Sequence, residues 1–308
     1  MPNKKMIVNV PVATVWTKQD SAREIDEAAI SNPSKVDVWL KGLNYDTLLD
    51  LCDGNRVQTQ VLYGQEVLLL EENEGWSHVI VLEQPSSKDE RGYPGWIPSV
   101  QLFEQPDWDL ATVPVAAITS KQAILFSENM EALLELSYET VLPVLEIEKE
   151  RVLVKTPEGK GILQLHDVRI SQSLELRAKG NGDDIVAAGE QFLGLAYLWG
   201  GMSSYGFDCS GFSYTMCKAN GYIIPRDAHD QAKAGVAVKL DELEPGDLLF
   251  FAYEEGKGNV HHVGIYYGDG KLLHSPKTGK DIEITPIIGM DYEKELCAAR
   301  RYWQKTGD

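Results

Sequence analysis

The sequence predicts an α+β protein, in which two small β-rich modules precede a domain of helices packed on an antiparallel sheet. Three observations lead to this prediction. Short strand-like blocks recur before residue 173, apolar residues take helical spacing after Asp184 and again after Cys209, and a strand, a tight turn and a returning strand follow in 260–275. One helix layer against an antiparallel sheet accounts for this order of elements. We therefore predict domains at 1–110, 111–176 and 177–308.

The first module is predicted to be a small barrel with one insertion. Residues 66–71, 76–81 and 95–98 have the composition of short strands separated by turns. Short strands that end in a Gly-Trp-Ile element resemble those of bacterial SH3-like barrels. The insertion, residues 19–53, has apolar residues at the spacing of short helices, which a minimal barrel does not need.

A partial repeat predicts that the second module is related to the first. Val10-Pro11-Val12-Ala13 recurs as Val113-Pro114-Val115-Ala116, and a block that opens with Tyr63 recurs as a block that opens with Tyr138. We therefore expect a second SH3-like barrel. Its predicted strands are Val141–Ile147, Arg151–Thr156 and Gly161–Leu165.

The charge of the chain limits its partners. The sequence carries 47 acidic and 29 basic side chains, which give a formal net charge of −18. Nucleic acid and anionic membrane surfaces would repel such a chain, so we exclude both as partners. No apolar run approaches the roughly 18 residues that a membrane helix needs, and no membrane span is predicted. We expect a monomer.

The cysteines, histidines and acidic residues give no sign of a metal or a cofactor. The four cysteines are scattered, no histidine or carboxylate cluster has the spacing of metal ligands, and no phosphate-binding glycine loop is present. The first ten residues contain two lysines but neither a long apolar run nor a cleavage site, which predicts a cytoplasmic protein. An extracellular location is the alternative if a signal peptide has been removed.

Cys209 is the candidate nucleophile. Glycines crowd the loop around it, and Phe212, Met216 and Cys217 recur at helical spacing beyond it, so Cys209 should lie on the first turn of a helix. Asp208 is then the N-cap. Unpaired N–H groups and the helix dipole at this position favour negative charge, which predicts a lowered thiol pKa. The alternative is a buried structural thiol.

Two histidines on a predicted hairpin supply a base and the group that orients it. If the turn is centred on Gly268, His262 and His274 lie opposite each other on one face of the sheet. His262 is then the general base, and His274 fixes its tautomer and orientation. His261 points to the opposite face, where a packing role is expected.

Five segments together resemble the NlpC type of bacterial cell-wall cysteine peptidase, a papain-like fold, from about residue 180 to residue 305. They are Tyr197-Leu198-Trp199-Gly200-Gly201, Asp208-Cys209-Ser210-Gly211-Phe212, residues 243–251, His262-Val263-Gly264-Ile265-Tyr266 and Leu273-His274-Ser275.

The resemblance also implies substrate-binding residues. Tyr197 would help to stabilise the oxyanion, and Trp199 would form a pocket wall. Asp208 and Ser210 would contact the amino end and the D-glutamyl carboxylate of the substrate. Tyr93, which we expect on an exposed loop of the first module, would close the cleft.

The activity implied by the resemblance is hydrolysis of the γ-D-glutamyl–diamino acid bond of peptidoglycan-derived stem peptides. Such an enzyme takes peptides with a free N-terminal L-Ala and releases L-Ala-γ-D-Glu during muropeptide recycling. Lysine and meso-diaminopimelate both remain open as the diamino acid. Two alternatives also remain: an exported hydrolase that acts on intact peptidoglycan, and a wall-binding protein whose papain-like domain is inert.

Overall fold

The chain forms two compact units in the computed structural model, which describes residues 4–303. The first unit contains the chain up to residue 83 together with 91–177 and 203–205, and the second contains 84–90, 178–202 and the chain from residue 206. The outer ends of the predicted first and third domains, 1–3 and 304–308, lie outside the described residues. Within 4–303, no helix has the length and apolar character required to cross a membrane.

The first unit contains two seven-stranded antiparallel sheets with the same strand order. The strands of the first sheet are β1 (Lys4–Val8), β2 (Val12–Trp16), β3 (Val57–Leu62), β4 (Glu66–Asn73), β5 (Trp76–Val81), β6 (Tyr93–Pro98) and β7 (Leu102–Phe103), in the order β3-β2-β6-β5-β4-β1-β7. The strands of the second are β8 (Val115–Ile118), β9 (Gln122–Phe126), β10 (Ala132–Ser137), β11 (Val141–Ile147), β12 (Arg151–Thr156), β13 (Gly159–Gln164) and β14 (Val168–Ser171), in the order β10-β9-β13-β12-β11-β8-β14.

The two sheets correspond strand by strand, so the modules are structural repeats. Tyr63 and Tyr138 occupy equivalent positions, directly after β3 and β10, as the repeat predicts, and the residue after each has a left-handed φ, +80° at Gly64 and +63° at Glu139. The Val-Pro-Val-Ala match is wrong in register. Its first copy leads into β2, whereas its second leads into β8, the counterpart of β1. Both strands are buried and rich in valine and alanine, so a match of four residues does not distinguish one strand from the other.

The insertion between β2 and β3 is helical, as predicted. It contains α1 (Glu27–Ile30), α2 (Val36–Gly42) and α3 (Tyr45–Asp53). A buried polar contact fixes it, because the indole N–H of Trp39 donates to Asp26 Oδ1 at 2.7 Å.

Tyr93 does not lie on an exposed loop, so that prediction is wrong. It is the first residue of β6, pairs with Val81 on β5, and is 2% exposed among the apolar residues of the first barrel. The strand begins two residues before the Gly-Trp-Ile element, and barrel packing therefore takes in the tyrosine ring.

The second unit is built on a six-stranded antiparallel sheet covered by helices. Its helices are α4 (Gly182–Glu190), α5 (Cys209–Ala219), α6 (Ala228–Gln231), the single turn α7 (Tyr253–Gly256) and α8 (Asp291–Glu295). Its strands are β17 (Val236–Ala237), β18 (Leu248–Ala252), β19 (Val260–Gly268), β20 (Lys271–His274), β21 (Glu283–Pro286) and β22 (Leu296–Arg301), in the order β17-β22-β18-β19-β20-β21. A short ribbon, β15 (Met202–Ser203) and β16 (Gly206–Phe207), precedes α5.

Helix α5 is the central element of this unit. Every residue from Ser210 to Ala219 is buried, and the helix packs against α4 and β19. A helix that is buried on all sides has little freedom to shift, because protein interiors are close-packed. The position of Cys209 at its start is therefore well fixed.

Residues 84–90 belong to the second unit, although the strands that flank them in sequence, β5 and β6, belong to the first. Their backbone bonds to the segment that precedes and forms α6. The Pro85 carbonyl accepts the N–H of Arg226 at 2.9 Å, and the Ser87 N–H donates to Asp230 Oδ2 at 2.9 Å.

Candidate active site

Cys209 is the first residue of α5, and Asp208 caps the helix as predicted. Asp208 Oδ1 accepts the backbone N–H of Gly211 at 2.6 Å. The turn at Gly201 packs so closely on this first helical turn that a Cβ on Gly211 would lie 2.2 Å from the Gly201 carbonyl oxygen. Glycine is therefore required there. Cys209 is partly exposed as a residue.

A buried ion pair holds the cap in place. Arg226, 1% exposed, donates through Nη2 to Asp208 Oδ2 at 2.6 Å and through Nη1 to Asp208 Oδ1 at 3.1 Å. The same Nη1 donates to Ser210 Oγ at 2.8 Å, and Ser210 in turn donates to Asp208 Oδ1 at 3.2 Å. Bidentate arginine–carboxylate pairs of this kind fix orientation as well as charge. Asp208 and Ser210 are thus joined in one network directly beside the candidate nucleophile.

The sequence analysis did not assign Arg226 a role. Its signal was present in Pro225-Arg226-Asp227, a segment that enters a short helix. The pairing with Asp208 brings together residues 18 positions apart in sequence, and no local periodicity predicts such a contact.

The histidine hairpin forms, but its turn lies one to two residues later than predicted. The strands are joined at Asp269 and Gly270, which both have left-handed φ, +51° and +68°. Ile265 pairs with Leu273, a register that continues to His274 opposite Gly264. His262 and His274 are therefore diagonal neighbours and not directly opposed. A shift of two residues keeps both side chains on the same face, because side chains alternate with a period of two.

The two imidazoles are in hydrogen-bond contact, as the sequence predicts. His262 Nε2 lies 2.8 Å from His274 Nδ1, with the rings nearly perpendicular and both residues buried. This contact uses Nε2 of His262 and leaves its Nδ1 for the thiol. The Cys209 sulfur accepts a hydrogen bond from the backbone N–H of Val263, the residue after His262. The structure thus brings Cys209, His262 and His274 together.

The charge state of this group differs from the prediction. Burial, followed by the neighbouring Asp208 carboxylate, raises the pKa of the Cys209 thiol to about 12. Hydrogen bonds from the backbone N–H groups of Val263 and Ser210 act in the opposite direction but are smaller. The predicted lowering of the thiol pKa is therefore wrong: loss of water around the sulfur outweighs the helix N-terminus.

The histidines are neutral in the resting site for the same reason. Burial, then the neighbouring His274, holds the pKa of His262 well below 6.5, and burial lowers the pKa of His274 to about 4. The resting site is thus a thiol beside a neutral imidazole. A neutral imidazole can accept the thiol proton at the moment of attack, as a general base must.

Tyr292 is a site residue that the sequence analysis missed. Its ring stacks on His262 with centroids 5.4 Å apart and meets His274 edge-on at 5.2 Å. Burial, followed by the Glu283 carboxylate, raises the pKa of its hydroxyl to about 12. Tyr292 lies on the one-turn helix α8, 18 residues beyond His274, where the sequence shows no motif.

The remaining predicted residues lie around the start of α5 or elsewhere in the chain. Tyr197 is buried and pairs with Phe207, two residues before Cys209, while Trp199 is half-buried on the adjacent Gly-Gly turn. Their contacts with substrate stay predictions, as does that of Tyr93. His261 lies on the other face, as expected, 3.3 Å from Glu295 and stacked on Tyr253.

Asp227, His229 and Asp230 offer ligand atoms within 4.8 Å of one another. Each of the two carboxylates already has a partner on residues 84–90, since Asp230 accepts the Ser87 N–H and Asp227 lies 3.5 Å from the Lys88 ammonium. A nearby ammonium opposes a cation, so we do not assign a metal to this cluster.

Comparisons with known proteins cover both units. Residues 194–301 match the sequence profile of the NlpC/P60 family, and 118–170 match that of the YKFC SH3b2 domain. The chain is 50% identical, over 94% of its length, to the gamma-D-glutamyl-L-lysine dipeptidyl-peptidase of Bacillus subtilis strain 168, of which 96% is covered. A protein of the same name from Bacillus cereus ATCC 10987 is 41% identical over 97% of this chain and 91% of its own.

A solved structure agrees with the fold described above. The crystal structure of an NlpC/P60 family protein from Bacillus cereus ATCC 10987 superposes with a TM-score of 0.94 at 40% identity. The match covers 98% of this chain and 100% of the other.

Proposed function

Since this chain belongs to the NlpC/P60 family, whose members are cysteine peptidases, we propose that it cleaves the γ-D-glutamyl–L-lysine bond of peptidoglycan stem peptides. The observation that carries the proposal is the contact of His262 with His274 beside a partly exposed cysteine at a helix start. Two relatives that match nearly the whole chain carry this activity in their names.

The geometry suits an acyl-enzyme mechanism. Cys209 Sγ attacks the γ-carbonyl carbon of D-glutamate as its proton passes to His262. The carbonyl oxygen becomes negative, and first-turn N–H groups of α5, which have no intrahelical acceptor, can donate to it. When the C–N bond breaks, His262 returns the proton to the departing α-amino group of lysine. A thioester between Cys209 and the glutamyl carbon remains.

Hydrolysis of the thioester completes the cycle. His262 takes a proton from water, and the resulting hydroxide adds to the thioester carbonyl. The C–S bond breaks, the peptide leaves as a carboxylic acid, and the sulfur regains the proton. His274 holds His262 through the 2.8 Å contact in both half-reactions.

The substrate part of the proposal includes a free N-terminal L-Ala, so that the released product is L-Ala-γ-D-Glu. Such specificity suits short peptides from wall turnover, and we place the reaction in recycling within the cytoplasm. Cell fractionation with an antibody against the chain tests the compartment, and recovery in the cell wall or medium would contradict it.

The activity is tested with purified protein and L-Ala-γ-D-Glu-L-Lys, with products identified by mass spectrometry. We expect L-Ala-γ-D-Glu and lysine, and no products from Cys209→Ala. Parallel reactions contain the meso-diaminopimelate peptide, the N-acetylated peptide and intact sacculi. Equal cleavage of the acetylated peptide would contradict the free N-terminus, strong release from sacculi would favour an exported hydrolase, and an unaffected Cys209→Ala would remove the nucleophile.

A further inference from the structure

The histidine pair ends in an unsatisfied polar atom. His274 is fully buried, and within residues 4–303 its Nε2 has no hydrogen-bond partner. Buried polar groups are rarely left unpaired, and each exception calls for an explanation. The explanation here follows from the proton positions that the reaction requires.

His262 must carry its hydrogen on Nε2 in order to act as a base. Its Nδ1 is the nitrogen left for the thiol proton, and a neutral imidazole has one N–H. The Nε2–H of His262 then donates to His274 Nδ1, 2.8 Å away. Since His274 is also neutral, its own hydrogen lies on Nε2, so the orphaned atom is a donor in the catalytically competent state.

A carboxylate faces this donor from the next strand. Glu283 on β21 pairs directly with His274 on β20, and its Oε1 lies 3.9 Å from His274 Nε2. The distance is too long for a hydrogen bond, but the Glu283 side chain is 53% exposed and can rotate toward the imidazole. We propose that Glu283 is a fourth, positioning residue of the site, which accepts the Nε2–H of His274 as positive charge develops on the histidine pair.

The other ionisable groups around the pair do not fill this role. Tyr292 presents its ring edge-on to His274, and the Cys209 thiol lies on the His262 side. His261 lies on the opposite face of β19, where Glu295 is its carboxylate partner. Glu283 is therefore the carboxylate placed on the His274 end of the chain of hydrogen bonds.

The consequence for the reaction is electrostatic. When the thiol proton reaches His262 Nδ1, the imidazolium is hydrogen-bonded to His274, and the Glu283 carboxylate turns toward the Nε2–H of His274. A nearby carboxylate favours the protonated form of a histidine. Glu283 should therefore increase the fraction of thiolate–imidazolium pair and speed attack by the sulfur. This inference rests on the proposed cysteine-peptidase chemistry, but not on the identity of the peptide.

The test uses alkylation of Cys209, which needs no substrate. The full-length protein is treated with iodoacetamide across a pH series, and peptide-resolved mass spectrometry follows each cysteine. We expect Glu283→Gln to slow alkylation of Cys209 about three- to tenfold at neutral pH, the size of one screened charge near a buried site. The acidic limb of the plot of alkylation rate against pH should move to lower pH, since the histidines lose a group that favours their protonation. Cys52 in the same sample is the internal reference.

Two controls separate positioning from structure. Glu242→Gln removes an equally charged, exposed side chain that pairs with Lys239, and should leave Cys209 reactivity unchanged. In a His274→Asn background, which lacks the imidazole Nε2, Glu283→Gln should have no further effect. Three results would each overturn the inference. Glu283→Gln could leave Cys209 alkylation at the wild-type rate, it could slow alkylation further in the His274→Asn background, or its slower alkylation could be matched by a lower melting temperature.

The proposed function fails separately. If Cys209 alkylation depends on His262, His274 and Glu283 while the stem peptide is not cleaved, the substrate is wrong and the four-residue chain stands. If the peptide is cleaved but Glu283→Gln retains both the wild-type kcat and the wild-type pH profile, the function stands and the role of Glu283 is lost.

Discussion

The ion pair between Arg226 and Asp208 should determine whether α5 begins where catalysis needs it. Replacing Arg226 by methionine keeps most of the side-chain volume but removes three hydrogen bonds, two to Asp208 and one to Ser210 Oγ. Asp208, 6% exposed, would keep the Gly211 N–H and the Ser210 hydroxyl as donors, but its charge would be buried without a counter-ion.

The expected size of the effect follows from burial at both ends. Removing one partner of a buried ion pair typically costs about 3–5 kcal/mol, because the other charge stays desolvated. The two remaining donors to Asp208 place Arg226→Met at the lower end, about 3 kcal/mol. The double variant with Asp208→Asn leaves neither charge behind, so its loss should fall short of the sum of the single losses by about 2 kcal/mol or more.

Hydrogen exchange resolved by peptide is the suitable assay, since a chain with two compact units has no single free energy of unfolding. Exchange of the peptide that covers α5 measures the opening free energy of the helix. The rate of Cys209 alkylation measures changes at the first turn of the helix. Arg301→Met is the matched control, because Arg301, the last residue of β22, forms a comparable bidentate pair with Asp247. It should weaken protection of β22 without changing Cys209 reactivity. Unchanged exchange of α5 in Arg226→Met, or strictly additive losses in the double variant, would refute this reasoning.

Two further predictions concern the histidine pair. Burial holds the pKa of His274 at about 4 in the folded chain, against 6.5 in the unfolded chain. Between pH 6.5 and 4 the unfolded chain therefore binds a proton at His274 that the folded chain does not bind, and acidification should destabilise β20 by about 3 kcal/mol. Hydrogen exchange against pH measures this, and an unchanged slope in His274→Gln would contradict it. Tyr292→Ala should lower kcat about two- to tenfold through loss of stacking on His262, whereas Tyr292→Phe keeps the ring and should stay near wild type. An equal loss in Tyr292→Phe would mean that the hydroxyl, and not the ring, is used.

Local signals in the sequence were enough to predict several elements, including the helix that carries the nucleophile. The barrel strands β5 and β12 have the predicted bounds. Helix α5 begins at Cys209 with Asp208 as its cap, as predicted. The contact between His262 and His274 was also predicted correctly, although the turn was not. Gly268-Asp269-Gly270 offers two places for the turn, and alternation of side chains makes the two choices equivalent for which face the histidines share.

What the sequence could not supply depends on distant residues and on burial. Arg226, Tyr292 and Glu283 reach the site from three separate segments, and none stands in a motif that predicts its partner. The thiol pKa was predicted in the wrong direction because a helix start is visible in sequence, whereas the loss of water around the sulfur is a property of the packed unit.

The path of residues 84–90 has a consequence for how this enzyme can be divided. A fragment that starts at residue 178 holds Cys209 and both histidines, yet it lacks the Pro85 carbonyl that accepts the Arg226 N–H and the Ser87 N–H that binds Asp230. The segment that presents Arg226 to Asp208 would then have bare backbone and carboxylate groups where it now has partners. A catalytic domain that is cut at residue 178 would therefore hold Arg226 less firmly against Asp208. Exchange of barrels between such enzymes by recombination must keep residues 84–90 together with the catalytic domain.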